Sequence, residues 1–288
     1  MVWCSMQLFT KSWVWGLVFA AACLAVFSLM ALNGFPGLPD DCVTDLNGNC
    51  YCEAYTSPAV EPTGVRQPAS TLSALTPIVF GAAILFWLDL ARGSTANPMA
   101  FRSTYSMLYG FLVIFLGIGS IYFHGSLTRI GGFVDNFSML LYITFLIVYN
   151  LFRVRMIDTR PIYFVVLLFV LNSILAIPVY VIDDLGTALF AALVIVYIVI
   201  EVWIIATAPG GVRRKPVWFI VSVAAFAVAM IVWRLSWTGG AWCDPDSLLQ
   251  GHALWHVLSM AIAPTLVFIY LKTETRPPTY YESPADTA

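Results

Sequence analysis

Gly251-His252-Ala253-Leu254-Trp255-His256 opens an otherwise apolar run that continues to about Leu271. A run of this length matches the ~20 residues a helix needs to cross a bilayer, and an ionisable pair inside such a span is costly unless it has a task. Histidines four residues apart stack on one face of a helix, the arrangement by which one helix offers two nitrogens to one metal ion. Two ligands do not complete a zinc site. The only other histidine in the chain is His124, near the end of another apolar run, so it is the candidate for the third imidazole.

Around this stretch the chain has 288 residues, 60% of them hydrophobic and only 10% charged, with a mean hydropathy of +0.85. Such a composition describes a polytopic membrane protein. Apolar runs fall at about residues 12 to 32, 70 to 90, 105 to 126, 133 to 151, 161 to 182, 186 to 207, 216 to 236 and 250 to 271. The expected fold is therefore an all-α bundle of eight membrane helices. Its expected divisions are an N-terminal helix within 1–32, a Cys-containing loop at 33–69, a helical core at 70–272 and a disordered tail at 273–288. The first run is longer than a signal-peptide core and no small-residue cleavage site follows it cleanly, which favours a retained helix. A net charge of -2 and the lack of a basic stripe give no reason to expect a nucleic-acid partner; membrane lipid is the natural one.

Loop charge sets the expected orientation. Lys11, Arg92 with Arg102, Arg153 to Arg160, Arg213 to Lys215, and Lys272 with Arg276 alternate with acidic loops carrying Asp40 to Glu61, Asp183 with Asp184, and Asp244 with Asp246. Both termini are expected in the cytoplasm and the acidic loops outside. Cys42, Cys50, Cys52 and Cys243 all fall in the outer segments, an even number in an oxidising compartment, which predicts two disulfides with the pairing open. Asp45, Asn47, Asn49 and Glu53 offer hard oxygen ligands of the kind calcium takes, without a complete EF-hand pattern.

In this topology His124, His252 and His256 lie at one depth, toward the outer face. Ser120 stands one turn from His124 on the same helix face, and Asp135 opens the next helix, where a carboxylate could also simply favour the helix dipole. Three neutral imidazoles with an open fourth position form a catalytic zinc site, which makes hydroxide available near neutral pH. Asp135 is then the candidate general base and acid, and Ser120 the donor to a developing oxyanion. The chemistry so implied is metal-assisted hydrolysis of an acyl bond in a lipid. Elsewhere, Glu201 reads as a side chain snorkelling to water, Arg234 as a snorkelling cation or a partner for Asp135, and Asn172 as an interhelical hydrogen-bonding residue.

Ser120-x-x-x-His124, Asp135 and Gly251-His252-x-x-Trp255-His256 together resemble the signature of the alkaline ceramidases, membrane amidases related to the adiponectin and progestin receptors. The resemblance runs from about Cys50 to Leu271. It implies a seven-helix core preceded by one added helix, zinc on His124, His252 and His256, Ser120 and Asp135 as the assisting pair, and hydrolysis of ceramide to a sphingoid base and a fatty acid. It also implies a calcium site before the first core helix, where this chain reads Cys50-Tyr51-Cys52-Glu53, with Tyr55 and Gln67 at positions usually held by ligands; Glu53 is the candidate ligand that remains. Similarity further suggests a Cys52–Cys243 bridge, leaving Cys42 with Cys50. The competing expectations are hydrolysis of another acylated lipid and a zinc-containing receptor without turnover.

Overall fold

A computed structural model describes residues 11–44, 51–55, 61, 63–91, 96–155, 160–182 and 185–276. Among them lie eight helices long and apolar enough to cross a membrane, and no sheet forms beyond two isolated bridges. We number the helices α1 (Ser12–Asn33), α2 (Asp41–Thr44), α3 (Pro68–Ser73), α4 (Leu75–Leu90), α5 (Thr104–Ser126), α6 (Arg129–Arg153), α7 (Pro161–Val181), α8 (Leu185–Thr207), α9 (Pro216–Leu235) and α10 (Gly251–Lys272). α2 is a single turn, and α3 with α4 makes one span.

The break between α3 and α4 has a local cause. Pro77 has no N–H to give to the carbonyl of Ser73, and that carbonyl instead accepts the Thr76 hydroxyl at 2.7 Å. α10 departs from regular winding as well, being a π-helix from His256 to Ile262. It returns to α-geometry just before Pro264, whose ring cannot follow the carbonyl of Met260 in a normal turn.

α5 is the axis of the bundle. Along its apolar stretch 72% is buried, against 17% for α1 and for α8, so the latter turn most of their apolar surface outward. Small residues let neighbours close on α5. A Cβ at Gly117 would stand 2.5 Å from the Ala74 carbonyl, and one at Gly119 would stand 2.7 Å from Ser138 Oγ of α6. α6 begins four residues before the apolar run, because Thr128 caps it by accepting from the Gly131 N–H at 3.2 Å. Asp135 therefore sits in the second turn, buried, and is not an exposed helix-start carboxylate. α1 packs on α4 and α5: the Tyr122 hydroxyl donates to the Cys23 carbonyl at 2.9 Å, and Asp89 Oδ2 accepts from the Trp13 N–H at 3.2 Å. The interhelical bond expected of Asn172 is present, donated to Thr144 Oγ1 at 2.7 Å.

At the end away from the histidines, two expectations are corrected. Glu201 does not snorkel; it is wholly buried and accepts from Arg214 at 2.9 and 3.0 Å, from Asn150 at 2.9 Å and from the Tyr270 hydroxyl at 2.8 Å. Nor does free chain begin at Thr273. Glu274 is buried between Arg153 and Arg214, accepting from Arg153 Nε at 2.8 Å and from Arg214 at 2.8 and 3.1 Å, while Arg213 and Thr275 exchange backbone hydrogen bonds. Burial opposes the charge of Glu274, yet Arg214 and then Arg153 hold its carboxyl below the usual carboxylate range. A charge taken out of water is tolerable only when paired and hydrogen-bonded this fully. The remaining tail, 277–288, lies outside the described residues.

Candidate metal centre

Two helix ends bring three imidazoles together. His124 lies in the last turn of α5, His252 and His256 in the first turns of α10, and all three are buried. One nitrogen of each lies within 4.8 Å of the others, and among the described residues this is the only such group of three or more His, Cys, Asp or Glu side chains. His124 Nε2 is 3.1 Å from His252 Nε2. Two nitrogens each at ~2.0–2.1 Å from one tetrahedral ion stand about 3.3 Å apart, so the spacing suits a shared cation.

The outer nitrogens fix which side of each ring faces inward. His124 Nδ1 is 2.7 Å from Gln67 Oε1. His256 Nδ1 is 3.0 Å from the Ser70 carbonyl and 2.8 Å from Ser73 Oγ. A carbonyl oxygen only accepts, so Nδ1 carries the proton in both rings and Nε2 presents a lone pair to the centre, as a ligating imidazole requires. Ser120 Oγ reaches the same place, 3.0 Å from His256 Nε2.

His252 is held differently. Its Nδ1 has no hydrogen-bond partner, and its ring is covered by Tyr51, the two centroids 3.8 Å apart and tilted by 30°. Tyr51 adopts a left-handed backbone conformation, φ 62°, which a non-glycine residue keeps only where its surroundings impose it. Here they do. Its carbonyl accepts the Thr238 hydroxyl at 2.7 Å, the next residue forms the Cys52–Cys243 disulfide, and the Ala54 N–H donates to the Pro245 carbonyl at 3.0 Å. Cys42 is disulfide-bonded too; Cys50, its expected partner, lies outside the described residues.

A Cys52→Ser variant is expected to lose about 2–5 kcal/mol of stability, measurable as a fall in Tm in detergent. The lower end applies if the chain between the two cysteines, 191 positions apart, remains mostly as inserted helices on unfolding, since the bridge then removes little chain entropy. An unchanged Tm would show that the backbone contacts alone secure the cap.

Asp135 is brought to the neighbouring helix face but not into the triad. Its Oδ1 has no hydrogen-bond partner, and the residue lines a cavity of about 900 Å³ whose walls include Tyr51, Phe123, Met139, Trp233 and Trp237. Met139 is shared with a second, apolar cleft of about 70 Å³ that runs along α10 past Trp255 and Met260. Arg234 does not pair with Asp135; its guanidinium lies 5.0 Å from the Trp237 ring centroid. Glu53 is spent on structure: its two carboxylate oxygens accept from the Ala69 and Ser70 N–H groups at 2.6 and 2.9 Å, capping α3. Asp45, Asn47 and Asn49 lie outside the described residues.

Ser70, Ser73, Tyr51 and the contact of Gln67 with His124 escaped the sequence reading. A signal did exist: Gln67, Ser70, Thr71 and Ser73 crowd the start of an apolar span at the depth of the histidines.

A family model described as Ceramidase matches residues 66–282, from just before α3 to beyond α10. No curated protein matches the chain.

Proposed function

Because the chain belongs to the ceramidase family, hydrolases acting on an amide bond of a lipid, we propose that it cleaves the amide of ceramide within the bilayer, with a zinc ion held by His124, His252 and His256. The observation that carries this reading is the convergence of three buried imidazoles, two of them held by protein acceptors in the tautomer that offers Nε2. The donor set suits zinc, which three neutral imidazoles hold with one position open.

Bound there, zinc supplies Lewis acidity toward the carbonyl and lowers the pKa of its water. The chain's own residues do the rest. Asp135, buried and with one oxygen uncommitted, accepts a proton from the attacking water and delivers it to the nitrogen as the C–N bond breaks, so that a fatty acid and a sphingoid amine leave. Ser120, already at the ligand nitrogens, donates a hydrogen bond to the carbonyl oxygen as negative charge grows on it. The apolar cleft along α10 borders a short stretch of hydrocarbon chain, and the wider cavity beside Asp135 receives the polar end of the lipid. The disulfides at the histidine end agree with the loop charges in turning this end away from the cytoplasm and leaving both termini inside.

The test is mass spectrometry of a mixed lipid extract incubated with purified protein, with and without a zinc chelator. Ceramides are expected to fall and sphingoid bases to rise in equal amount, and the chelator to abolish both. Loss of a different acylated lipid would move the substrate; no turnover by a protein containing one zinc would favour the receptor reading instead.

A further inference from the structure

Resting on the reading of the triad as a zinc site, we propose that Gln67 is a positioning residue for His124. Its amide is locked end for end. Nε2 donates to the Glu53 carbonyl at 3.3 Å, which directs Oε1 to His124 Nδ1 at 2.7 Å. Backbone bonds set the distance: the Gln67 N–H donates to the carbonyl of His124 itself at 3.0 Å, and the Arg66 N–H to that of Gly125 at 3.1 Å. The side chain is fully buried, so water does not compete for the imidazole.

The consequence follows from the chemistry of the pair. Oε1 can only accept, so the His124 ring is held with its proton on Nδ1 and cannot rotate without leaving that N–H unsatisfied in a dry site. Partners of this kind typically contribute 10–100-fold to metal affinity. The segment Gln67 to Ser73 thereby serves two ligands, since Ser70 and Ser73 meet His256 from the next turns. Glu53 supports the arrangement at one remove, through its carbonyl to Gln67 and its carboxylate to α3.

The experiment uses the full chain, stripped of metal and titrated with zinc against a chromophoric chelator, followed by cobalt(II) substitution. The wild type is expected to take up one equivalent. Gln67→Leu, and Gln67→Met should leucine fail to fold, are expected to bind zinc about 10–100-fold more weakly and to shift the visible bands of the cobalt form. Gln67→Glu keeps an acceptor and is expected to restore both, a recovery that a merely structural role would not produce. Equal zinc affinity in Gln67→Leu or Gln67→Met, with the wild type binding one equivalent, overturns the proposal and leaves the zinc reading intact. A wild type that binds no zinc overturns the zinc reading itself, and the proposal with it.

Discussion

His252→Ala is expected to remove bound metal and amide hydrolysis together. The site has three imidazole donors and no fourth histidine in the chain, so one deletion leaves two ligands, fewer than a zinc site needs. It also takes away the ring that Tyr51 covers, opening the centre to the cap. A structural zinc is held by ~10–16 kcal/mol; losing a third of the donors costs about 4 kcal/mol, on the order of 10³-fold in affinity. Elemental analysis of purified protein after dialysis against a weak chelator reads this directly. One zinc per chain in the variant would strike His252 from the ligand set.

Asp135→Asn is expected to keep the metal and lose the reaction. Asparagine matches aspartate in shape, and Oδ1 has no hydrogen bond to forfeit, so the fold and the three histidines stay as they are. What disappears is the proton acceptor beside the cavity. General acid–base catalysis by one side chain contributes ~10²–10⁴-fold, and kcat should fall by that amount with zinc content unchanged. If kcat held while zinc was bound, the water would be activated without Asp135, and its burial would need a structural explanation.

What the sequence disclosed, and what it hid, divides by the range of the interactions. Eight spans were legible because the bilayer dictates their length, and the histidines because a four-residue spacing on a helix is a local fact. The nearness of His124 was inferred only from depth, yet it proved sufficient, since a thin membrane leaves few places for residues at one level to go. The cluster at the end away from the histidines was misread for the opposite reason. Arg153 and Arg214 were counted as solvated loop charges, but the partner that buries them, Glu274, lies 121 and 60 positions away, and no local pattern announces such a pairing. Tyr51 on His252 was hidden likewise, behind a disulfide whose cysteines are 191 positions apart. The π-helical turn at His256 was half visible, because Pro264 marks where regular winding fails but not in which way.

The position of Glu274 in the chain bears on how the protein is made. Arg153 and Arg214 leave the ribosome well before it, and Glu201 can accompany only one of them. Until residue 274 follows, the end of the bundle away from the histidines carries a guanidinium without its carboxylate. α10 carries two of the three histidines at its start, and Glu274, just past its end, meets that charge at the far end, about 33 Å away for a helix of 22 residues. A chain that stops short of Glu274 lacks the carboxylate on which Arg153 and Arg214 converge, although it already carries all three histidines.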